Sequence, residues 1–536
     1  MEVVDVWTGQ RANALQRALR FTNEAFAERL GVNLRTVAKW HAKPDVQLSP
    51  EMQEALDTVL FGATEQAKAR FGLMMTAGTA TDPDRNGETS TAKDKDLIAA
   101  EQRLNSDAHI AAALEWLDAS AGWAPGTARK RVAAEVVQLD ASELGDRTRS
   151  RGRVQRADVA AALSAFYGTP MDGHGTYRAT YGDGREVATS VLTHADWLDI
   201  ACPLQPDSDR AALVGSTSSE PLPLDDVSID GAVRRTAETL GLNTTMVDAP
   251  LYRLIDVDVG KQRIGGAFGL TSFVQYALTM DLLEAELVDA LAAGREPSAD
   301  TLPLRTRLMP DTASVLDTRN RMCAGGALAL TAIARPPSGR RTQPDYLLLV
   351  QERGGKVLNA ASRLAVIPKC FHGPLTDYSD DTQIGSTLRR ELEEELFGRD
   401  DVDSTVTSSQ RHADPMHASR LSQPMAWLAA HDGTDHWQME CTGFGLNLVS
   451  GNFEFASLIV IHDETFWTTY GGDIAANWES ESLRRYSSRD RNLLEDLIGD
   501  RAWSNEGLFA LLQGLRRLAQ VGGSRVDVPA IEWEVR

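Results

Sequence analysis

Cysteine is scarce in this sequence, and long apolar runs are absent. Among 536 residues there are four cysteines and no Cys-x-x-Cys pair, which excludes the common zinc motifs and a disulfide framework. Cys370 and His372 are the nearest pair of ligand-type residues, and two such residues without a second pair indicate no metal site. The longest strongly apolar run, at 455–461, is far shorter than the roughly 20 residues that cross a bilayer. The sequence predicts no membrane span.

Positive charge is also in short supply. Acidic residues outnumber basic ones by 76 to 55, a formal net charge of −21. Such a charge opposes association with nucleic acid, so DNA binding requires a locally basic segment. The first ten residues, MEVVDVWTGQ, lack the basic and apolar stretches of a secretory signal. We therefore expect a cytoplasmic protein that makes no contact with membranes.

The length of the chain predicts several domains, because one hydrophobic core rarely grows beyond about 250–300 residues. The stretch TAGTATDPDRNGETSTAKDKD has almost no apolar content and is predicted to be a flexible tether. Composition divides the chain into four segments: a helical domain at 1–75, a flexible linker at 76–106, a mixed but mainly helical region at 107–322 with a possible role in dimerisation, and a strand-rich domain at 323–536. The expected fold class is multidomain α+β.

Residues 8–43 combine helical patterns with local positive charge. Thr22 is a suitable N-cap for the helix NEAFAERL, Gly31 is suited to end it, and Asn33 is suited to cap a further helix, LRTVAKW. The segment carries seven Lys or Arg residues against two acids, a local net charge of +5. We predict two helices crossed at a steep angle around an apolar core, with these core residues: Phe26, Ala27, Leu34, Val37 and Trp40.

The stretch FTNEAFAERLGVNLRTVAKW resembles the phage-repressor (XRE-like) helix-turn-helix of bacterial transcription regulators. The resemblance implies that the last helix enters the major groove of double-stranded DNA and that four residues bind there: Asn33, Arg35, Thr36 and Lys39. Operators are usually read as paired half-sites, so a homodimer is expected. The alternative, a three-helix module that binds another protein, remains open.

Three patterns in the middle region predict local structure. Residues 175–205 alternate as a hairpin does around a Gly-Asp-Gly turn. The arginine-rich stretch DRTRSRGRVQR, at 146–156, is predicted to be an exposed loop, with an accessory phosphate contact as the weaker alternative. Residues 271–294 have the pattern of one long amphipathic helix that contributes to the core.

The stretch GSTLRRELEEELFG, at 385–398, concentrates carboxylates near the end of a predicted helix. Glu391, Glu394 and Glu395 share one helical face by their i, i+3, i+4 spacing. Carboxylate oxygens are the ligands that Mg²⁺ prefers, and such an ion neutralises phosphate groups. The alternative is a surface helix with Arg-to-Glu pairs four residues apart, from Arg389 and from Arg390.

The run RRELEEEL, preceded by GGKVLNAASRLAVIPKCFHGP, resembles the signature of a Nudix domain. Five residues fall on that signature: Arg390, Glu391, Leu392, Glu394 and Glu395. The family's upstream glutamate is Thr382 here, with Asp381 beside it, so the motif is degenerate. The resemblance implies an α/β/α sandwich over 323–536 whose glutamates bind divalent cations and assist hydrolysis of substituted nucleoside diphosphates.

These features leave three functions open. The favoured one is a transcription regulator whose Nudix-like domain senses a nucleotide-derived or otherwise phosphorylated small molecule. The second is a Mg²⁺-dependent Nudix hydrolase with a DNA-binding head, in which Glu391, Glu394 and Glu395 would be catalytic. The third is a non-catalytic interaction scaffold.

Overall fold

The structure, a computed structural model, describes most of the chain in two compact units, Met1–Ala92 and Lys93–Arg536. The described residues are 7–19, 21, 23–30, 32–33, 36–37, 39–40, 46–61, 63, 68, 71, 88–106, 108–168, 171–215, 224–242, 244, 246–339, 341–354, 363–398, 415–477 and 480–536. No helix in this described part is both long enough and apolar enough to cross a membrane.

The first unit is helical. It contains α1 (Gly9–Leu19), α2 (Asn23–Leu30) and α3 (Pro50–Phe61). An antiparallel bridge between Thr8 and Gln47 ties the start of α1 to the segment before α3. The helical spacing of apolar residues in α1 and α2 places one side of each helix in a shared core, whose largest members are Trp7, Leu15, Phe26, Val37, Trp40, Leu56 and Phe71.

The helices that follow in the described chain flank two sheets. Their bounds are α4 (Glu88–Ser106), α5 (Ala108–Ser120), α6 (Thr127–Gln138), α7 (Ala141–Arg153), α8 (Arg156–Tyr167), α9 (Asp226–Leu242), α10 (Phe273–Ala277), α11 (Leu282–Ala292), α12 (Pro303–Leu308), α13 (Thr312–Leu316), α14 (Ile384–Glu395), α15 (Gln423–Ala430), α16 (Glu464–Tyr470), α17 (Arg491–Ile498) and α18 (Asn505–Val521).

The strands of the second unit form a large mixed sheet and a small one. The bounds are β1 (His174–Tyr181), β2 (Arg185–His194), β3 (Leu198–Pro203), β4 (Asp209–Leu213), β5 (Pro250–Gly260), β6 (Arg263–Ser272), β7 (Gly325–Arg335), β8 (Asp345–Arg353), β9 (Leu364–Val366), β10 (Lys369–Phe371), β11 (Trp437–Asn447), β12 (Asn452–Ile461), β13 (Ser480–Ser487) and β14 (Ile531–Val535). The large sheet has the order β13-β8-β7-β12-β11-β2-β1-β14, and β4-β6-β5 form the small sheet.

Strand β7 lies inside the large sheet and is buried on both faces. It pairs in parallel with β12 and antiparallel with β8 and β10. Leu328 and Leu330 pack in the same core as α18, whereas Ala329 and Ile333 pack on the other side in the same core as α14. A strand covered by helices on both faces reads as an almost unbroken apolar run, as GGALALTAIAR does. This part of the unit is therefore a mixed α/β sandwich.

The large sheet joins segments that the sequence placed in different domains. Strands β1 to β3 come from the predicted middle region, and β7 to β14 come from the predicted C-terminal domain. The predicted boundary at 322/323 falls inside the second unit. The predicted hairpin is confirmed, with β1 and β2 antiparallel on either side of Gly182 and Gly184, which both have positive φ.

Three local expectations were wrong. Helix α4 occupies part of the predicted linker, because Leu97, Ala100 and Leu104 give it an apolar side that packs in the core. The arginine-rich stretch lies mostly within α7 rather than in a loop. The predicted helix at 271–294 is divided into the end of β6, α10 and α11.

Two ion-pair networks account for the last two corrections. In α7, Arg147 and Arg151 both form ion pairs with Asp289 on α11 and with Glu238 on α9. The positive charge of these two arginines is therefore neutralised inside the second unit. The turn between α10 and α11 ends at Asp281, which is 2% exposed and pairs with Arg235. Neither set of partners is close in sequence, and local pattern did not predict them.

The contact between β7 and β10 leaves no room for a side chain at Gly326. A Cβ atom there would lie 1.7 Å from the carbonyl oxygen of Cys370. We expect Gly326→Ala to cost about 3 kcal/mol of unfolding free energy, the upper end of the usual range for overpacking. The measurement is calorimetric unfolding of the full chain. The matched control is Gly472→Ala, where a Cβ would meet no atom within 4 Å, and equal stabilities of the two variants would contradict this account.

Candidate functional site

The predicted DNA-reading segment separates buried from exposed residues. Val37 is fully buried and Trp40 is 4% exposed, whereas Asn33 and Lys39 are exposed and Thr36 is half-buried. Arg35, like the predicted core residue Leu34, lies outside the described residues. The structure therefore leaves Lys39 exposed between two packed apolar residues, Val37 and Trp40.

Backbone hydrogen bonds fix the turn before this segment. The N–H of Val32 donates to the carbonyl of Ala27 at 2.9 Å, and the N–H of Thr36 donates to the carbonyl of Asn33 at 2.8 Å. The first bond closes the end of α2 and the second begins the next helical turn. The core also contains Val37 and Trp40. The exposed residues Asn33 and Lys39 therefore belong to a segment that is packed through its apolar side chains.

The glutamate-rich helix, α14, packs through its leucines. Leu388 and Leu392 are fully buried in the core beneath the large sheet. Its most buried acid is Glu393, whose carboxylate accepts the N–H and the hydroxyl of Ser422 at 2.7 and 2.5 Å. Ser422 in turn caps α15. This carboxylate therefore anchors a neighbouring helix.

The predicted metal ligands have distinct contacts within the protein. Glu395 is 2% exposed and accepts the N–H of Lys369 at 3.1 Å, which fixes β10. Glu391 contacts the guanidinium of Arg390 at 3.2 Å, and that guanidinium also donates to the carbonyl of Gly373 at 3.0 Å. Glu394 is half-buried. Arg389 reaches Asp432 at 3.1 Å rather than an acid of its own helix.

These contacts do not gather the carboxylates around one point. Across the part of the chain that the structure describes, no three His, Cys, Asp or Glu side chains are grouped so that they could hold a metal ion. Glu391, Glu394 and Glu395 therefore do not fit a Mg²⁺ ion in this arrangement, and no reaction step through such an ion follows from it.

Thr382, at the position of the upstream glutamate in the Nudix signature, makes contacts that stabilise the fold. Thr382 is 1% exposed, and its hydroxyl lies 2.9 Å from the carbonyl oxygen of Ala211 and 2.7 Å from that of Ser379. One Asp381 oxygen accepts the N–H groups of three consecutive residues, 375–377, at 2.8 to 3.1 Å. Asp381 therefore closes a loop and does not replace the missing acid.

His372 is a buried, neutral histidine. Its Nε2 lies 3.0 Å from the carbonyl of Thr382, which can only accept, so Nε2 carries the proton and Nδ1 accepts from the Thr387 hydroxyl at 2.7 Å. The rings of Tyr252 and Phe268 lie 4.5 and 5.0 Å away, centroid to centroid. Burial, reinforced by the positive charge of Arg390, lowers the pKa of His372 to about 3.

A buried polar cluster at the start of α18 was missed by the sequence analysis. Lys369 forms an ion pair with Glu506, and the other Glu506 oxygen accepts from the Asn447 amide at 3.2 Å. Burial alone would raise the pKa of Glu506, but the Lys369 ammonium outweighs it and holds that pKa below its ordinary value. Burial and the charge of Glu506 raise the pKa of Glu454 well above the ordinary range.

The cluster extends toward the helices of the middle region. Burial, with the charges of Asp281 and Glu506 adding to it, raises the pKa of Glu284 to about 7. Raised carboxyl pKa values next to a buried cation are common at functional sites, although structural networks also produce them. The available signal was Glu454, a lone acid in the apolar strand NFEFASLIVI.

Comparison with models of known protein families finds no match, and comparison with curated proteins finds none either. The helix-turn-helix and Nudix resemblances therefore rest on the quoted residues alone.

The neutral state of His372 predicts a loss of stability in acid. The unfolded chain takes up this proton near pH 6.5 and the folded chain only near pH 3, so the stability contribution is complete above about pH 6.5 and falls as the pH drops below it. We expect His372→Gln to weaken the dependence of unfolding free energy on pH between about 7 and 5. Urea unfolding at each pH is the measurement. The exposed His417→Gln should keep the wild-type slope, and a parallel slope in His372→Gln would refute the assignment.

Proposed function

We propose that this protein is a cytoplasmic, DNA-binding transcription regulator that acts as a homodimer and responds to a small phosphorylated molecule. The observation that carries the proposal is the separation of residues in the first unit. Phe26, Val37 and Trp40 are buried, whereas Asn33 and Lys39 are exposed. A helix-turn-helix needs this arrangement, because its second helix must pack on one side and reach base edges on the other.

Charge supports the same function. The segment 8–43 has a net charge of +5 in a chain of −21. Phosphate contacts supply much of the affinity for DNA, and an exposed lysine in the recognition segment is suited to make one. The acidic remainder of the chain opposes binding elsewhere, which favours contact through this segment.

Binding of the full chain to enriched genomic fragments tests the DNA-reading residues. We expect Arg35→Ala combined with Lys39→Ala to weaken binding and to lower the salt slope by about 1 for each phosphate contact that is lost. Fluorescence anisotropy at several salt concentrations measures both quantities.

Arg17→Ala is the matched control, because Arg17 is an exposed cation on α1 outside the predicted reading segment. We expect it to change binding less than either member of the pair. Unchanged affinity and slope in the double variant would contradict the DNA-reading assignment, and absence of DNA binding by the wild type would favour an interaction module.

For the second unit we propose ligand sensing without hydrolysis. Glu395 holds β10 and Glu393 holds the cap of α15, so two acids of the Nudix-like helix are used in packing. Thr382 offers a hydroxyl instead of a carboxylate. A ligand regulates DNA binding only if it binds the DNA-competent and incompetent states with different affinity. The resemblance of α14 to the Nudix helix points to a nucleotide-derived ligand.

Mg²⁺-dependent turnover separates a sensor from a hydrolase. We expect the pure protein to release no product from a panel of nucleoside diphosphates linked to a sugar or to a second nucleotide, because its carboxylates do not converge. Product release is followed by chromatography with and without Mg²⁺. Glu394→Gln is the control variant: turnover that is present in the wild type and lost in this variant would make the protein an enzyme with a DNA-binding head.

A further inference from the structure

A small cavity lies between helix α8 and the β1–β2 hairpin. Its volume is about 210 Å³, enough for several water molecules of about 30 Å³ each. The cavity is separate from the Nudix-like helix and from the buried cluster at α18, with which it shares no lining residue. The lining residues that matter are Arg156, Ala157, Ala160, Thr176, Arg178 and Thr189.

Arg156 is a buried cation whose guanidinium has a hydrogen-bond donor without a partner. It is 8% exposed and lines the cavity, and its Nη1 donates to the carbonyl of Ala188. Its Nε is buried and has no hydrogen-bond partner. Burial lowers the pKa of Arg156 below its ordinary value. An unpartnered buried donor costs free energy that a bound acceptor would offset.

Arg178 supplies a second cation from the facing strand. Its Nε is also buried without a partner, and its side chain lines the same cavity. Glu534 lies opposite Arg178 on β14, but Glu534 forms an ion pair with Arg536, at 2.9 Å. In the described part of the chain no carboxylate lies within ion-pair distance of Arg156 or Arg178.

The first turn of α8 adds a third favourable element. Arg156 is the first residue of this 12-residue helix, and Ala157 and Ala160 reach the cavity without a long side chain between the helix and the space. The N-terminus of a helix carries partial positive charge and free N–H groups. Asp158 in the same turn accepts the N–H of Gln155 at 3.2 Å and does not line this cavity. Glu186 is the acid on the lining, and it is exposed.

We propose that this cavity binds a phosphate-type oxyanion, either inorganic phosphate or the terminal phosphate of a small metabolite. Arg156, Arg178 and the first two turns of α8 line a space large enough for a small tetrahedral anion, and guanidinium binds such oxygens through paired donors. Thr176 and Thr189 provide a polar wall. The site is independent of DNA binding and of the Nudix-like helix, so either of those functions can fail without affecting it.

Isothermal titration of the full chain with inorganic phosphate tests the site. The buffer contains no other multivalent anion, and a chloride titration at equal ionic strength controls for screening. We expect saturable phosphate binding with a dissociation constant below about 1 mM and no heat of binding with chloride. Absence of saturable binding in the wild type would overturn the proposal.

Two pairs of variants locate the binding. Ala157 is exposed in the first turn of α8, where an acid is compatible with the helix, so Ala157→Glu should fold and place a competing carboxylate at the cavity. We expect it to weaken phosphate binding about tenfold or more, whereas the uncharged Ala157→Gln should retain most of the affinity.

Arg178→Gln should also weaken phosphate binding about tenfold. Its control is Arg263→Gln, an equal charge change on the small sheet, which should leave the affinity for phosphate unchanged.

Each result has a definite meaning. Weaker binding in Ala157→Glu and Arg178→Gln, with both controls near the wild type, supports the site. Equal affinity in all four variants would show that phosphate binds elsewhere and would refute the assignment. A nucleoside monophosphate titrated in parallel distinguishes the two sources, since a metabolite site should bind it more tightly than inorganic phosphate.

Discussion

The second unit depends on the close approach of three strands around Gly325 and Gly326. A Cβ at Gly325 would lie 2.0 Å from the carbonyl of Phe453 on β12, and one at Gly326 would meet β10 on the other side. This contact fixes β12 and β10 against β7, and β10 then carries Lys369 toward Glu506 at the start of α18. Helix α18 covers one face of the sheet and α14 the other. The two faces are therefore covered by helices that the same three strands position.

Buried charge is used throughout this unit to position elements. Glu393 holds the cap of α15, Glu395 holds β10, and Asp281 holds Arg235. Each of these carboxylates has a partner from another part of the chain. In the ion pair of Asp281 with Arg235, removing either partner would leave a buried charge without its counter-ion. The cavity at α8 differs from these sites, because Arg156 and Arg178 have no carboxylate partner among the residues that the structure describes.

The sequence predicted those features that depend on local pattern. The core residues of the first unit and the β1–β2 hairpin both follow from spacing within a few residues. The partners of charged groups were not predictable, because Arg147 meets Asp289 and Lys369 meets Glu506 across more than a hundred positions. For the same reason the glutamates of α14 suggested a metal site, although Glu395 finds its partner on β10.

The edge of the large sheet has a consequence for how the protein is made. Strand β1 pairs on one side with β14, whose register continues to a contact between Thr176 and Arg536, 360 positions apart. During synthesis the open side of β1 exposes unpaired N–H and C=O groups until β14 emerges, and such edges promote aggregation. Pairing over so long a separation is also slow. All the residues of the first unit's core, in contrast, are synthesised early. The first unit can therefore fold while the strands of the large sheet are still incomplete.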